Sequence, residues 1–219
     1  MRPRRTSTSK STDGEAKGKV KAEETVRKKQ LLISRKASKL FIKKGYSQTT
    51  MREISRATGI NLGNLYNFID SKEDILCMVF HMFHNPATDW MAKDGILEMD
   101  DPREQMRVSL RKVLELIHEY KAEIFLMYRE TKVLPPKFLK KVLETESALI
   151  AFFEGILRKG VERGVFQVRD PFFSANMLVY QLSLYPLRSW NLKRYTEDEL
   201  IEMTSESIMD AFENKQQQP

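Results

Sequence analysis

The sequence predicts an all-α protein with a small basic domain followed by a larger helical bundle. Apolar residues recur at the three- and four-residue spacing of helices along most of the 219 residues, and no strand-like alternation stands out. Residues 1–72 carry 18 Lys or Arg against 6 Asp or Glu, a net charge of +12, whereas residues 73–219 carry 19 against 24, a net charge of −5. This asymmetry is typical of a polyanion-binding domain joined to a domain with a different task.

The N-terminal part predicts a disordered arm followed by a first helix. Residues 1–22 are rich in Arg, Lys, Ser, Thr and Gly and contain almost no apolar side chains, so they are predicted to be a disordered basic arm. The arm could follow a DNA groove, or it could be a solvated tail with weak nonspecific attraction. From about residue 22 to residue 44, the helical spacing of Ala37 and Phe41 predicts the first helix, which Gly45 ends.

Two short helices joined by a tight turn are predicted next. Thr50 and Glu53 have the spacing of a capping box at the start of the first of them. Gly59 suits the left-handed conformation that ends a helix, and Asn61 can cap the second helix, predicted over about residues 62–69. A short helix held at a fixed angle by a partner helix can enter the DNA major groove. The pattern therefore predicts a three-helix DNA-binding domain of the helix-turn-helix type.

This domain is assigned to residues 23–71, and its outward side chains are the candidates for DNA contact. Asparagine can pair bidentately with adenine, and a tyrosine hydroxyl can donate a hydrogen bond to a phosphate. The start of the following helix is a further candidate phosphate site. The predicted DNA-binding residues are Thr49, Thr50, Arg52, Asn61, Leu62, Asn64, Tyr66, Asn67 and Lys72.

The rest of the chain predicts helices separated by proline and glycine. Pro102, Pro135, Pro136 and Pro171 stand where helices begin, and Thr196 with Glu199 has capping-box spacing. The helices are predicted over about residues 72–85, 102–120, 122–131, 136–162, 171–189 and 196–214.

Several classes of function find no support in the sequence. No apolar run approaches the roughly 20 residues that span a bilayer, and none follows the basic N-terminus. The chain has a single cysteine, Cys77, so it cannot form an internal disulfide framework, and a cytoplasmic protein is predicted. Cys77 lies in an apolar stretch, which predicts that its small side chain is buried. No Gly-rich phosphate loop or nucleophile elbow predicts a cofactor or catalytic residues. His81, His84 and His118 could share a metal, but no familiar ligand spacing joins them, and no metal site is assigned.

The basic domain resembles the DNA-binding domain of TetR-family transcriptional regulators over about residues 27–80. The chain departs from the family pattern at Leu62, where a lysine is frequent, at Asn67, where a histidine is frequent, and at Phe68-Ile69, where Tyr-Phe is frequent. These departures leave the fold unchanged and the operator sequence open. The matching residues are Ala37, Leu40-Phe41, Gly45-Tyr46, Thr49-Thr50, Glu53-Ile54, Ala57, Gly59-Ile60, Gly63, Leu65-Tyr66 and Ser71-Lys72-Glu73-Asp74-Ile75-Leu76.

The resemblance implies that residues 72–219 form a helical effector-binding and dimerisation domain. It also implies a homodimeric repressor that binds a pseudo-palindromic duplex operator and is released by a small apolar effector. The effector pocket is predicted to contain Phe83, Trp90, Phe125, Tyr128, Arg129, Phe153, Met177, Tyr180, Gln181, Tyr185 and Arg188, although for any single apolar or aromatic residue a place in the core is the simpler interpretation. The last two helices are expected to form the dimer interface through Phe172, Leu178, Leu182, Ile201, Ile208 and Phe212.

The identity of the effector stays open between two classes. The segment Tyr128-Arg129-Glu130-Thr131, with Leu134-Pro135 after it, is similar to TetR-family repressors of lipid, sterol or aromatic-acid degradation, several of which respond to acyl-CoA thioesters. An apolar pocket suits an acyl chain, and arginine suits the CoA phosphates. The alternative is a drug-like apolar compound, as in efflux-pump repressors. An all-helical enzyme and an architectural DNA-binding protein are the rival functions.

Overall fold

The computed structural model describes residues 11–81 and 95–213, with side chains from residue 24 onward in the first range. These residues are helical apart from turns, loops and one isolated bridge between Phe166 and Glu213, which confirms the all-α prediction. The chain divides into two compact units, Met1–Val79 and Phe80–Pro219. The division lies eight residues beyond the domain boundary predicted at residue 71, because the apolar start of the fourth helix belongs to the first unit.

The first unit contains three complete helices and the beginning of a fourth. The fourth helix is labelled α4; it begins at residue 72 and continues to residue 81, where the first described range ends. The complete helices are α1 (Ser11–Lys44), α2 (Met51–Thr58) and α3 (Leu62–Leu65).

Helix α1 begins eleven residues earlier than the sequence predicts. The prediction of a disordered arm is therefore wrong for residues 11–22, which are helical; residues 1–10 lie outside the described residues. The segment mixes alanine, lysine and glutamate, which favour a helix, with two glycines, which disfavour one, so its composition alone does not decide between helix and coil. The helix ends as predicted at Gly45, whose φ of 93° is in the left-handed region.

A compact apolar core holds the first unit together. Phe41 on α1 is fully buried and meets the ring of Tyr46 edge to face, with the centroids 5.1 Å apart. Cys77 is buried as predicted, and burial raises the pKa of its thiol to about 12. The other buried apolar residues of this unit are Ile33, Ala37, Ile54, Leu65, Ile69, Ile75, Leu76 and Val79.

Helix α3 is one turn long, although the sequence predicts a helix over about residues 62–69. Beyond Leu65 the N–H groups of Asn67 and Phe68 bond to carbonyls three residues back, at 3.2 and 3.1 Å, so the chain tightens into turns. The side-chain amide of Gln30 donates to the Phe68 carbonyl at 3.1 Å. That carbonyl therefore has a partner from α1, which local spacing could not reveal.

The second unit has helices that agree closely with four of the five predicted there. Among the described residues of this unit, no helix is long and apolar enough to cross a membrane, and the same holds in the first unit. The helices are α5 (Pro102–Glu119), α6 (Lys121–Glu130), a short 3₁₀ helix (Thr131–Val133), α7 (Pro136–Glu162), α8 (Pro171–Leu182), α9 (Leu184–Arg188) and α10 (Glu197–Phe212).

The helix predicted over residues 171–189 is broken into α8 and α9. Pro186 has no N–H to donate to the carbonyl of Leu182, and its ring crowds that carbonyl, so the helical bonding pattern cannot pass this point. The N–H of Ser183 instead bonds to the Tyr180 carbonyl, three residues back, at 3.1 Å. The local geometry at Ser183 therefore follows from a proline three residues later.

The core of the second unit is formed by one face each of α5, α7, α8 and α10. Glu213 closes the end of α10, because its carboxylate accepts hydrogen bonds from Arg103 and Arg107 on α5 at 3.1 and 3.4 Å. The buried core residues are Met106, Leu110, Val113, Leu114, Phe153, Ile156, Leu157, Phe166, Ala175, Leu178, Val179, Leu182, Ile201, Ile208 and Met209.

Gly160 is required by the close approach of the Phe166 ring to α7. A Cβ atom at position 160 would lie 2.0 Å from Cδ2 of Phe166, which is itself buried. We expect Gly160→Ala to lower the free energy of unfolding by about 1–3 kcal/mol, as overpacking does. Urea-induced unfolding followed by circular dichroism measures the effect.

Gly155 on the same helix is the matched control, since a Cβ there has nothing within 4 Å. We expect Gly155→Ala to be neutral or to stabilise the protein by up to about 1 kcal/mol, because alanine is the better helix former. Equal stability of the two variants would show that the Phe166 contact does not restrict position 160.

Candidate nucleic-acid interface

The start of α2 is fixed by a capping box. The Thr50 hydroxyl accepts the N–H of Glu53 at 3.3 Å, and the Glu53 carboxylate accepts the N–H of Thr50 at 2.8 Å, as predicted. Lys44, at the end of α1, donates to the other oxygen of the same carboxylate. The hydrogen bond from Lys44, followed by those from Thr50, lowers the pKa of Glu53 to about 2. The carboxylate is therefore ionised at physiological pH and holds α1 and α2 together.

The turn between α2 and α3 is held by its own polar groups. Gly59 has a φ of 71°, the left-handed conformation that the sequence predicts. The Ser55 hydroxyl donates to the Ile60 carbonyl at 2.6 Å, and the Thr58 hydroxyl accepts the Ile60 N–H at 3.3 Å. Asn61 caps α3 through its side-chain oxygen, which accepts the Asn64 N–H at 2.8 Å. These bonds fix the direction in which α3 leaves the turn.

A set of exposed side chains on α2, on α3 and directly after α3 remains outside these structural bonds. We call it the α2–α3 polar surface: Arg52, Arg56, Asn64, Tyr66 and Asn67, all exposed to solvent. Four of the five are predicted DNA-binding residues, and Tyr66 is 48% exposed. Arg56 is not among the predicted DNA-binding residues, although its position four residues after Arg52 indicates the same face of a helix.

A shallow open depression joins the two helices at this surface. It contains three cationic side chains and one carboxylate, and that carboxylate is already paired with Lys44. Leu62, a predicted DNA-binding residue, contributes to it with a half-buried side chain. The unpaired charge at the surface is therefore positive, as contact with a polyanion requires. The lining residues are Lys44, Gln48, Thr50, Met51, Arg52, Glu53, Arg56, Leu62 and Tyr66.

Besides the caps Thr50 and Asn61, two further predicted DNA-binding residues have side-chain bonds within the protein. Thr49 is 1% exposed, and its hydroxyl donates to the Gly45 carbonyl at 2.8 Å, so the prediction that its side chain contacts DNA is wrong. Its location in the turn after α1 accounts for the burial. Lys72 is half-buried, and its ammonium donates to the carbonyls of Tyr46 and Thr49 at 3.0 and 3.1 Å.

The predicted effector residues differ widely in exposure. Phe153 is fully buried in the core of the second unit, and its assignment to an effector pocket stays a prediction. Met177 and Tyr180 are 53% and 70% exposed on α8, on the outside of this unit, because core contacts use the opposite face of that helix. Phe83 and Trp90 lie outside the described residues.

Several of the remaining predicted effector residues have local partners. The hydroxyls of Tyr128 and Ser183 are 2.9 Å apart, and Gln181 donates to the Ser207 hydroxyl at 3.3 Å. The exposed Arg129 donates to Glu130 at 2.9 Å, and its guanidinium lies 6.0 Å from the centroid of the Phe125 ring. Arg188 is exposed at the end of α9.

Tyr185 belongs to a polar cluster around a buried histidine. Its ring stacks on His118 with centroids 4.1 Å apart, and its hydroxyl accepts a hydrogen bond from Lys121 at 3.2 Å. His118 is 5% exposed, and burial is the main reason why its pKa is lowered. His81 instead meets the Phe138 ring edge on at 5.0 Å, and His84 lies outside the described residues. Within the described ranges, no group of three or more His, Cys, Asp or Glu side chains could hold a metal ion.

The predicted dimer-interface residues are mostly core. Leu178, Leu182, Ile201 and Ile208 are at most 5% exposed in the core of the second unit, so their assignment to an interface is wrong. Phe212 also packs against that core, whereas Phe172 is 56% exposed. The reason is that α8 is apolar on both faces, and periodicity alone does not distinguish the face used by the core.

The exposed face of α8 carries large apolar side chains that no described part of the second unit covers. Phe173, Met177 and Tyr180, which we call the α8 stripe, are 63%, 53% and 70% exposed. Their spacing of four and three residues places them along one side of the helix. Exposed apolar patches of this kind mark interaction sites.

Two family models match the chain in the units described above. The model of bacterial regulatory proteins of the tetR family matches residues 33–77, and the model of the tetracyclin repressor-like C-terminal domain matches residues 99–183. Together they cover more than half of the chain. The chain belongs to the TetR family of transcriptional regulators. This confirms the resemblance found in the sequence and makes the protein a helix-turn-helix DNA-binding regulator.

Curated relatives of this TetR-family protein are also transcriptional regulators. The HTH-type transcriptional regulator YuxN of Bacillus subtilis is 30% identical over 105 residues, which cover 48% of this chain and 36% of YuxN. The match thus spans only about a third of that relative. The HTH-type transcriptional repressor KstR2 of Mycobacterium tuberculosis is 24% identical over 136 residues, 60% of this chain and 66% of KstR2.

Solved structures of TetR-family regulators have the same fold. PfmR from Thermus thermophilus superimposes with a TM-score of 0.73 at 25% identity, covering 83% of this chain and 99% of PfmR. AibR, solved in complex with isovaleryl coenzyme A and operator DNA, has a TM-score of 0.65 at 18% identity, covering 83% of this chain and 96% of AibR. The likeness to AibR concerns the fold alone.

Proposed function

We propose that this TetR-family protein is a homodimeric, ligand-responsive repressor that binds a duplex operator with two half-sites and is released by a small apolar effector. The observation that carries the proposal is the α2–α3 polar surface, which is exposed and cationic on helices that the capping box and turn bonds hold rigidly. Repression is supported by KstR2, a relative described as a transcriptional repressor.

DNA reading is assigned to the exposed members of that surface. Asn64 and Asn67 offer the amide groups that pair with base edges in the major groove. Arg52, Arg56 and the Tyr66 hydroxyl suit phosphate oxygens, which set the position of a protein on the duplex. The one-turn length of α3 is compatible with this assignment, since the N-terminal residues of a recognition helix contact the bases.

Dimerisation is assigned to the α8 stripe rather than to the residues predicted from the sequence. Three adjacent large apolar side chains, each more than half exposed, lose contact with water when a second copy covers them. A two-fold dimer uses the same patch on both partners and pairs two DNA-binding domains with two half-sites. Phe172, exposed beside the stripe, is the one predicted interface residue that stays in this assignment.

The effector class that we propose is an acyl-CoA thioester. Support comes from AibR, which has isovaleryl coenzyme A bound, and from residues of α6, where the exposed Arg129 lies beside the exposed ring of Phe125. A guanidinium suits phosphate groups, and an aromatic ring suits an apolar chain. Effector binding lowers operator affinity through the coupling free energy between the two sites. A drug-like apolar effector is the second candidate, and it gains weight if the following experiment rejects acyl-CoAs.

The test is a titration of acyl-CoAs of several chain lengths into the protein–operator complex, followed by fluorescence anisotropy of the labelled duplex. We expect release by at least one chain length, with a roughly 5- to 150-fold loss of operator affinity, the typical range of such coupling. Free CoA and the free fatty acid of the same length are the controls. Release by no acyl-CoA would reject this effector class, and absence of a protein–operator complex would reject the regulator itself.

A further inference from the structure

Lys72, the first residue of α4, joins this helix to the turn that precedes α2. Its ammonium lies 4.3 Å from the centroid of the Tyr46 ring and donates to the carbonyls of Tyr46 and Thr49. These carbonyls lie near the two ends of the turn between α1 and α2. The lysine therefore bridges both ends of one turn from a helix 23 and 26 residues further along the chain.

The turn that Lys72 contacts determines where α2 begins. The Thr49 N–H donates to the Tyr46 carbonyl at 3.1 Å, so this carbonyl accepts bonds from both Thr49 and Lys72. Thr50, the next residue, is the cap of α2. Movement of the turn would therefore move the start of the helix that carries Arg52 and supports α3.

The donors of the ammonium are mostly committed to the protein. A lysine ammonium has three N–H donors, and two of them bond to backbone carbonyls here. The ammonium also makes a cation–π contact with the aromatic ring of Tyr46. By contrast, Arg56 is exposed on α2, where its guanidinium faces solvent.

We propose that Lys72 is a positioning residue for the α2–α3 polar surface and not a phosphate contact. The inference rests on the proposed reading of DNA by that surface. In this proposal the ammonium of Lys72 binds groups of the first unit, whereas the sequence predicts that it contacts DNA.

Salt dependence distinguishes the two roles, because each phosphate contact releases counterions and contributes about 0.9 to the slope of log affinity against log salt. We would measure operator affinity of the full chain at several salt concentrations for the unaltered protein, Lys72→Met and Arg56→Met. Methionine keeps an unbranched side chain and removes the charge. Amide hydrogen exchange of residues 45–50, measured without DNA, reports directly on the turn.

For Lys72→Met we expect operator binding about tenfold weaker with an unchanged salt slope, and faster amide exchange in residues 45–50. For Arg56→Met we expect a slope lower by about 0.9 per half-site and unchanged exchange. If Lys72→Met does not fold, Lys72→Gln, which keeps an N–H donor, takes its place in both measurements.

A slope that falls in Lys72→Met as it does in Arg56→Met would overturn the proposal and make Lys72 a phosphate contact. Unchanged affinity together with unchanged exchange would overturn it as well. Amide exchange is measured without DNA. It therefore tests whether Lys72 stabilises the turn even if the unaltered protein binds no operator. The two failures are therefore distinguishable.

Discussion

Replacing both Met177 and Tyr180 by glutamate is expected to convert the dimer into monomers and to weaken operator binding by about 10²- to 10⁴-fold, the usual gain from linking two binding modules. Both side chains are more than half exposed in the second unit, so the charges cost little in the monomer. In a dimer covered at the α8 stripe, four carboxylates would be desolvated near one another. Sedimentation velocity measures the first effect and fluorescence anisotropy the second.

The matched control is the double replacement of Leu97 and Leu143 by glutamate. These leucines are 55% and 51% exposed and lie outside α8, so the control adds the same charge to apolar positions elsewhere in the second unit. We expect it to leave both the dimer and operator affinity intact. A dimer that survives in the Met177 and Tyr180 variant at micromolar concentration would show that another surface forms the interface.

Replacing Asn64 by alanine is expected to cost about 1–3 kcal/mol of specific operator binding per half-site, the usual contribution of a bidentate base contact. Asn64 is exposed, and only its backbone N–H is used by the Asn61 cap, so the variant keeps the fold. Binding to nonspecific DNA should stay unchanged, because phosphate contacts supply that affinity. Competition between operator and nonspecific duplexes measures the difference.

Ser47→Ala is the control for this prediction, since Ser47 is exposed in the first unit but outside α2 and α3. We expect it to bind the operator as the unaltered protein does. Equal losses for operator and nonspecific DNA in Asn64→Ala would reassign Asn64 to a backbone contact. No loss for either would remove it from the interface.

Helix ends that are fixed by local caps were predictable because the capping residues lie within about four positions of one another. The capping boxes of Thr50 with Glu53 and of Thr196 with Glu199 are both present, and Gly59 has the predicted left-handed conformation. Such bonds form between neighbours along the chain, so spacing is sufficient to identify them. The family resemblance and the all-α fold follow from the same kind of pattern.

Features that depend on distant residues were not predictable in this way. The short length of α3 is accompanied by a hydrogen bond from Gln30, 38 residues away, and the burial of Thr49 follows from packing around the turn. The two faces of α8 both carry apolar residues, so the sequence did not show which face enters the core. Only the packed structure separates Leu178 from Met177.

The most direct test of the proposed function is selection of duplexes from a random DNA pool by the full-length protein, followed by sequencing. We predict an enriched motif of two inverted half-sites whose centres lie about 10 base pairs, or a multiple of that, apart. The same selection with Asn64→Ala should lose the preference for one base in each half-site. Enrichment of no motif, or of a single unpaired half-site by the unaltered protein, would contradict a dimer that reads DNA through the α2–α3 polar surface.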